Sequence, residues 1–373
     1  MTRVAYFAPL LYTGGTQRHL QQVVRHLDPR RFSVHVYTLR AGGEVADELR
    51  AAGVALTSLD VGDRGATPQF LRGVLRAARL VRAAGTDVVH GYQWRPALVG
   101  AIAGWLGGAR LVVASKRSLT GGDRSARIAW RVIARLADTV VANADALRRE
   151  AEAHGVRARW AVIPSGVDVE HLRGGPEPAA AKAALGLDPR RPVVGTIGRL
   201  EERKGHGDFL VATRAMLGLA NGLAPQVLIV GDGPLRARLE RQVVHLGLGE
   251  TVRFTGSVAD VRTPLAAMDV FVLPSHAEGM SNALLEAMAA GRPVVATAVG
   301  GTVEVVDAER TGILVPPGDP TALAAAAVGL LADPARAAAV AGAAARRVEE
   351  RFGARQMVAQ LERLYAERLG AAA

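Results

Sequence analysis

Two glutamates eight positions apart flank the start of a predicted helix, where they could hold a polar ligand. Glu278 lies in the loop after the aliphatic run Val270–Leu273, and Glu286 lies about one turn into the helix, which Ser281 or Asn282 caps. The residues around Glu286 are apolar, and a carboxylate buried among them needs polar partners. The alternative for Glu286 is compensation of the helix dipole near its N-terminus. We interpret both glutamates as ligand-binding groups.

Two cations and a pair of glycines stand where predicted strands end, and they could bind phosphate groups. Arg199 and Lys204 follow the run Val193–Ile197, while Gly14–Gly15 follow the run Val4–Ala8. Two cations in one loop can neutralise a diphosphate without a metal ion. Glycines at a helix start let backbone N–H groups approach a phosphate. The alternatives are a solvated cation pair and an ordinary glycine turn.

Strands alternating with helices must position these residues, and the hydrophobic pattern predicts that scaffold. Short aliphatic runs alternate with Ala/Leu/Arg-rich stretches of helical periodicity, which is typical of parallel sheets covered on both faces. The runs form two series: Val4–Ala8, Val34–Leu39, Asp87–His90, Leu111–Ala114, Thr139–Ala142 and Trp160–Ile163, then Val193–Ile197, Val227–Val230, Val252–Phe254, Val270–Leu273, Pro293–Ala296 and Gly312–Val315. We therefore predict an α/β chain with two Rossmann-like halves. Ligands of such sheets bind beyond the carboxyl ends of the strands, so we expect the site in a cleft between the halves.

The length of the chain and the position of its glycines and prolines also indicate two domains. With 373 residues, the chain exceeds the roughly 250–300 residues at which one hydrophobic core stops growing. Glycines and prolines concentrate between Gly174 and Pro192, as in a linker. We predict domains at residues 1–168 and 192–354, a linker at 169–191 and a final segment at 355–373.

The composition excludes several classes of protein. The chain has no cysteine, which excludes disulfide scaffolds, thiolate nucleophiles and cysteine-ligated metal sites. This composition is consistent with a cytoplasmic protein. No segment reaches the ~18 apolar residues of a membrane span. We interpret the apolar start, Met1–Leu11, as a buried strand and not a signal peptide, because a glycine loop follows it.

The charge is unevenly distributed, since the first 175 residues carry all of the net +11. Such a field attracts phospholipid surfaces, nucleic acid or acidic substrates. Two predicted helices carry arginine stripes: Arg72, Arg76 and Arg79, and Arg124, Arg127, Arg131 and Arg135. The functional interpretation is docking on an anionic membrane face, and the alternative is an ordinary solvated helix face. We expect no nucleic acid partner, because recognition motifs are missing and an aromatic content of 4% is too low for base stacking.

Several motifs occur in an order that resembles one enzyme family. They are Gly14-Gly15, Val162–Asp168, Gly198-Arg199 with Lys204-Gly205, Gly231–Pro234, Glu278 with Glu286, and Val299–Gly301 with Glu304. Over nearly the whole chain they resemble the family-4 retaining glycosyltransferases of the GT-B fold. The resemblance implies a hexosyltransferase (class EC 2.4) that takes a sugar from a nucleotide-diphosphate sugar. The sequence contains no Asp-x-Asp, so we expect no metal and no cofactor.

The resemblance also implies residue roles, with the donor held by the C-terminal domain and the acceptor by the N-terminal domain. The final helix, from Gln356 to Leu369, would return to the N-terminal domain. The groups implied for the diphosphate are the side chains of Arg199 and Lys204 and the amides of Gly14 and Gly15. The groups implied for the sugar moieties are Glu286 at the ribose, and Glu278 with the backbone of Gly279, Met280, Ser281 and Asn282 at the transferred sugar. We assign catalysis to Arg199, Lys204 and Glu278.

The chain departs from the family pattern on the acceptor side. Many members carry a histidine after the strand that here is Leu111–Ala114, and Lys116 or Arg117 takes its place. Ser165 stands where an asparagine is usual. His90, at the end of the preceding strand, is another candidate, and a structural histidine is its alternative. The basic first half favours a lipid-linked or phosphorylated acceptor, and we expect an enzyme of cell-envelope polysaccharide synthesis, cytoplasmic or peripheral at the inner membrane face.

For the mechanism we expect front-face transfer with retention. Fixed cations and amide dipoles stabilise the charge that builds on a departing diphosphate, and no dedicated carboxylate nucleophile is visible in the motifs. The alternatives are an epimerase or phosphorylase of the same fold, and a non-catalytic protein that binds nucleotide sugars.

Overall fold

The structure is a computed structural model that describes residues 1–12, 14–62, 67–219 and 222–370. It divides into two compact units, Met1–Gly166 with Ala354–Ala373, and Val167–Gly353. Each unit has its own hydrophobic core. Thr13, which belongs to the predicted first glycine turn, lies outside the described residues.

The first unit alternates strands and helices. Its strands are β1 (Thr2–Ala8), β2 (Phe32–Thr38), β3 (Ala55–Ser58), β4 (Val88–Tyr92), β5 (Leu111–Lys116), β6 (Thr139–Ala142) and β7 (Trp160–Val162). The helices between them are α1 (Gly15–His26), α2 (Glu44–Ala51), α3 (Pro68–Ala83), α4 (Trp94–Gly107), α5 (Arg124–Leu136) and α6 (Asp145–Ala153). Within the described ranges these strands form one parallel sheet, in the order β3-β2-β1-β4-β5-β6-β7.

The second unit repeats this alternation. Its strands are β8 (Val193–Ile197), β9 (Gln226–Val230), β10 (Val252–Gly256), β11 (Val270–Leu273), β12 (Val294–Thr297) and β13 (Ile313–Val315). Its helices are α7 (Val169–Arg173), α8 (Pro178–Ala184), α9 (His206–Leu219), α10 (Arg236–His245), α11 (Arg262–Ala267), α12 (Asn282–Ala289), α13 (Thr302–Val305), α14 (Pro320–Ala332) and α15 (Pro334–Arg351). As far as the chain is described, these strands also form one parallel sheet, in the order β10-β9-β8-β11-β12-β13.

The last helix, α16 (Ala354–Leu369), packs in the first unit. Its Met357, Leu361 and Tyr365 join the core beneath α1 and β1. The hydroxyl groups of Tyr365 and Tyr6 lie 3.2 Å apart, so a buried hydrogen bond joins α16 to β1.

Local signals explain where the helices around the first sheet begin. The Thr67 hydroxyl accepts a hydrogen bond from the N–H of Phe70 at 3.2 Å, and Pro68 occupies the first turn of α3, where its missing N–H costs nothing. Asp123 caps α5 by accepting from the N–H groups of Ser125 and Ala126 at 2.9 and 3.1 Å. These caps fix the residues at which α3 and α5 begin.

The strand order reverses at one point in each sheet. In the first sheet β1 lies between β2 and β4, and in the second β8 lies between β9 and β11. The loops after the two central strands diverge at such a point, so the carboxyl edge opens into a crevice where ligands bind. The predicted site loops after β8 and β11 lie at this point of the second unit.

The predicted α/β class with two parallel sheets is confirmed. Sequence reasoning missed β3, a four-residue edge strand that is only partly buried. The segment 169–191, which the sequence marks as a linker, carries α7 and α8 and is counted in the second unit. Within the described residues, no single helix has the length and apolar character to cross a membrane; α14 and α15 meet that test only together, with a bend of 104° between them.

Candidate functional site

Two loops of the second unit touch at the point where its strand order reverses. The loop after β8 ends at Gly205, and the loop after β11 begins at Pro274. Gly205 has φ +65°, and a Cβ there would lie 1.9 Å from the carbonyl oxygen of Pro274. The N–H of His276 also donates to the carbonyl of Arg203 at 2.8 Å. Only glycine tolerates both the conformation and the approach, so Gly205 sets the distance between the loops.

A buried ion pair forms where these loops meet. The Nζ of Lys204 donates to Oε1 of Glu278 at 2.5 Å. Glu278 is 4% exposed, and the Lys204 side chain is 14% exposed. The Ser275 hydroxyl donates to the same Oε1 at 2.7 Å, and a guanidinium nitrogen of Arg203 lies 3.5 Å from Oε2. The carboxylate is therefore held by a cation and a hydroxyl, as burial of a charge requires.

His206, which sequence reasoning missed, packs behind this pair. It is buried in the first turn of α9, and a Cβ on Gly198 would lie 3.8 Å from both the His206 ring and the Lys204 stem. Burial, and next the charge of Lys204, lower the pKa of His206 to about 4, so the ring is neutral at physiological pH. In the sequence, His206 is marked only by its position directly after Lys204-Gly205, and this position does not by itself indicate a chemical role.

A third loop closes on the backbone of Glu278. Gly300, after β12, has φ +49°, and a Cβ there would lie 1.8 Å from the carbonyl oxygen of Glu278. The resemblance to the family includes Gly300 as a motif residue, and the contact supplies its physical reason.

The start of α12 is formed as the sequence predicts. Ser281 is the cap, because its hydroxyl accepts from the N–H of Leu284 at 3.4 Å and the helix begins at Asn282. Glu286 is buried one turn into the helix, and Met280 is buried before it. The structure therefore places Glu278, Gly279, Met280, Ser281, Asn282 and Glu286 on one loop and helix start after β11.

Arg199 differs from Lys204 although both follow β8. Its side chain is 69% exposed, and its Nε lies 3.7 Å from an oxygen of Glu201. An exposed ion pair of this length contributes little stability. Arg199 is therefore a surface cation, while Lys204 is largely withdrawn from solvent, with 14% of its side chain exposed.

In the first unit, Gly14 and Gly15 form the start of α1. Gly14 is the cap residue, in an extended conformation and without a side-chain capping bond, and the helix begins at Gly15. The Gln17 amide donates to the carbonyl of Leu10 at 2.8 Å and ties this turn to the end of β1. The N-terminus of a helix attracts anions.

Two acceptor-side candidates are occupied by the protein itself. Lys116 is fully buried, and its ammonium contacts the Ser118 carbonyl, the Thr120 hydroxyl and Glu150 at 2.8, 2.8 and 3.0 Å, which uses its three N–H groups. His90 is also fully buried, with ring nitrogens 2.6 Å from the Tyr365 hydroxyl and 2.7 Å from the Ser115 hydroxyl. Burial lowers the pKa of His90 to about 3. Both side chains are therefore held by partners within the protein, and neither is in a position to face a ligand.

Arg117 has a different environment from Lys116. Its guanidinium is partly buried and donates to the Ser165 hydroxyl at 2.9 Å. Burial lowers the pKa of Arg117 to about 10, so it stays charged. Of the three acceptor-side candidates, Arg117 is the one with donor groups to spare.

A pocket of about 430 Å³ opens at the carboxyl edge of the first sheet. Its polar lining includes Arg40, Gln93, Arg95 and Asp123, and its apolar lining includes Trp94 and Trp130. Gln93 adopts φ +65° and is held by hydrogen bonds with Thr16 and Ser118, both 2.9 Å. Strained residues that the surroundings hold in place are common at ligand sites.

Comparisons with known proteins show which family the chain resembles. The model described as Glycosyltransferase Family 4 matches residues 13–171, and the model described as Glycosyl transferases group 1 matches residues 191–333. The D-inositol 3-phosphate glycosyltransferase of Saccharomonospora viridis is 31% identical over 340 residues, which cover 82% of this chain and 78% of the relative. The GDP-mannose-dependent alpha-(1-6)-phosphatidylinositol monomannoside mannosyltransferase of Mycobacterium tuberculosis is 32% identical over 324 residues, 81% of each chain. The crystal structure of HepE from Anabaena in complex with UDP and glucose has a TM-score of 0.88 at 23% identity, covering 98% of this chain and 100% of that one.

Two parallel Rossmann-like sheets, together with the similarity to HepE over nearly the whole chain, define the GT-B fold. The family models and the relatives identify the family within this fold class. The chain belongs to glycosyltransferase family 4, and it is therefore an enzyme of the nucleotide-sugar glycosyltransferase class.

Proposed function

We propose that this enzyme transfers a hexose from a nucleoside-diphosphate sugar to an acceptor hydroxyl, with retention at the anomeric carbon and without a divalent metal. The observation that carries the proposal is the buried pair of Lys204 and Glu278 at the carboxyl edge of the second sheet. A cation held there can bind a diphosphate, and the carboxylate beside it can bind a sugar.

Each residue of this site has a proposed role. Glu278 occupies one of the three N–H groups of Lys204, so the ammonium can bind a diphosphate oxygen at the same time. Arg199 is a second, exposed cation for the diphosphate. In the first unit, the amides of Gly14 and Gly15 are backbone donors for a phosphate group. Glu286 binds the ribose hydroxyls. The backbone of Gly279, Met280, Ser281 and Asn282 joins Glu278 around the transferred sugar.

The proposed reaction needs no enzyme nucleophile. As the bond between the anomeric carbon and the diphosphate oxygen breaks, negative charge builds on the diphosphate and positive charge on the sugar. Lys204 stabilises the first and Glu278 the second, because both are preorganised in a site of low polarity. The acceptor oxygen bonds to the anomeric carbon on the same face, and its proton passes to the departing diphosphate oxygen.

A thermal-shift screen in EDTA tests this function. UDP-glucose, GDP-mannose, ADP-glucose and TDP-glucose are compared, and we expect one to raise the melting temperature without any divalent ion. At 100-fold excess over Kd the gain is about 2.7 kcal/mol, or roughly 5–10 °C for a domain of this size. The free sugars serve as controls. If a donor raises the melting temperature only when EDTA is left out, the result would contradict metal independence. If no donor raises the melting temperature under either condition, the result would contradict the proposed function.

For the acceptor we propose a sugar that is lipid-linked or phosphorylated, as in the assembly of cell-envelope polysaccharides. The first unit supports this with its positive charge and with the pocket that Arg40 and Arg95 line. The relatives from Saccharomonospora and Mycobacterium are both named for inositol compounds that carry phosphate. A non-catalytic or epimerase-like protein of the same fold is not favoured, because the family is one of transferases.

We also propose that the first unit binds an anionic membrane face from the cytoplasmic side. Helices α3, α4 and α5 pack side by side. They expose Leu71, Trp105 and Ile128 at 58%, 67% and 61%, beside exposed arginines such as Arg72 and Arg124. Apolar side chains among cations suit the interface of a negatively charged bilayer.

Vesicle co-sedimentation tests this surface. The double variant Arg72→Gln/Arg124→Gln should bind vesicles with anionic lipid about 2 kcal/mol, or roughly thirtyfold, more weakly, since each cation contributes about 1 kcal/mol near such a surface. The matched control is Arg214→Gln/Arg241→Gln, which removes the same charge from exposed positions of the second unit. Equal binding of the wild type to neutral vesicles would rule the surface out.

A further inference from the structure

We propose that the guanidinium of Arg117 is the centre of a phosphate-binding site in the first unit, which takes a phosphate group of a substrate. The inference rests on the proposed function, because that function supplies two substrates that can carry phosphate. The phosphate comes either from the donor diphosphate or from a phosphomonoester on the acceptor.

Arg117 has no carboxylate counter-charge among the described residues, and its hydrogen bond goes to the Ser165 hydroxyl. That hydroxyl also accepts from the amide of Asn143 at 3.1 Å. Lys116, the preceding residue, has Glu150 at 3.0 Å. A cation that is partly withdrawn from water is costly without an anion, so the Arg117 site is complete only when an anion is bound.

The titratable rings buried near Arg117 are neutral. His19, His90 and Tyr92 are buried near it, and its charge acts on all three. Burial is the main reason that the pKa of each histidine is low and that of Tyr92 is high, so the three rings are neutral at physiological pH. None of them can compensate the guanidinium. A cation near buried, neutral side chains attracts an anion more strongly than an exposed arginine does.

Two of the buried side chains near Arg117 have unused hydrogen-bonding capacity. Within the described part of the chain, the Tyr92 hydroxyl and Nδ1 of His19 have no hydrogen-bond partner, although both side chains are buried. Their rings are 5.3 Å apart. His19 belongs to α1, whose first turn presents backbone N–H groups and a positive dipole end. Polar groups left unsatisfied beside an unpaired cation are typical of a site without its ligand.

The chemical class of the ligand follows from the donor. A guanidinium offers parallel N–H groups in a planar fork, which matches two oxygens of one phosphate. One N–H already binds Ser165, and the others can bind the ligand.

Isothermal titration calorimetry on the full chain tests the site. The probes are inorganic phosphate, UDP and D-inositol 3-phosphate, with uridine and inositol as phosphate-free controls. Arg117→Gln should bind at least one phosphate probe tenfold or more weakly than the wild type. Arg157→Gln, which removes an exposed arginine of the same unit, should bind every probe as the wild type does. Selective loss of UDP assigns the site to the donor, and selective loss of D-inositol 3-phosphate assigns it to the acceptor.

A second variant keeps the test valid if Arg117→Gln does not fold. Arg117→Lys retains the charge but lacks the fork, and it should weaken phosphate binding severalfold. The inference is overturned if the wild type binds none of the three phosphate probes, or if both Arg117 variants bind them as tightly as the wild type. Such a result with an intact donor-induced thermal shift leaves the proposed function standing, so the two failures are distinguishable.

Discussion

Lys204→Ala is expected to lower kcat at least tenfold, which corresponds to about 1.4 kcal/mol of transition-state stabilisation. The change removes the cation that neutralises the departing diphosphate. It also leaves the carboxylate of Glu278 without its closest positive partner, which lies 2.5 Å away in the unmodified protein. The measurement is steady-state release of nucleoside diphosphate, with the donor that the thermal-shift screen identifies.

A matched control separates chemistry from stability. Lys182 is also a buried lysine of the second unit, and its ammonium lies 2.8 Å from Asp269 and 3.0 Å from the Arg191 carbonyl. Lys182→Ala should lower the melting temperature and leave the kcat of the folded fraction unchanged. Near-wild-type kcat in Lys204→Ala, or an equal loss in both variants, would count against the role of Lys204.

Gly300→Ala is expected to lower kcat/KM by tenfold or more. The methyl group would lie 1.8 Å from the carbonyl oxygen of Glu278, so the loop after β11 must move and carry the carboxylate with it. Misplacing a catalytic group by about 1 Å is enough for a large loss of rate. Steady-state kinetics detect the loss, and the change in melting temperature reports how much of the unit it disturbs.

The control for Gly300 is another glycine in the left-handed region. Gly318 has φ +71°, and apart from its two chain neighbours no heavy atom of the described residues lies within 4 Å of a Cβ built there. Gly318→Ala therefore introduces the conformational penalty of about 1–2 kcal/mol without a collision. It should reduce stability and keep kcat/KM. If the two variants have the same activity, the contact with Glu278 does not support the site.

Much of the fold is readable from local sequence patterns. Strands buried on both faces are continuous aliphatic runs, so Val193–Ile197 and Val270–Leu273 are predicted with their observed bounds. The edge strand Ala55–Ser58 escaped prediction, because four partly exposed residues carry too little hydrophobic signal. Helix α12 is predictable because Ser281 has the chemistry of a cap.

The sequence predicts which residues belong to the candidate site, but it does not predict which of them are in contact. The motifs place Lys204 and Glu278 after separate strands, 74 positions apart, and nothing local indicates that they form a pair. His206 was missed because burial, which the sequence does not display, is what makes it neutral. His90 and Lys116 are similar to ligand-binding residues in the sequence, and their partners come from elements distant in the chain, Tyr365 and Glu150.

The sequence alone was thus sufficient to predict the class of fold, the family and the loops in which the candidate site residues lie, because periodicity, capping and motif spacing are properties of neighbouring residues. Only the packing of distant segments decides which cation is withdrawn from solvent, which is exposed and which has no carboxylate partner among the described residues. Lys204, Arg199 and Arg117 are all cations following strands, and they differ through desolvation and the carboxylates within reach. Those two quantities arise from packing between strands and helices far apart in the sequence, so no local pattern contains them.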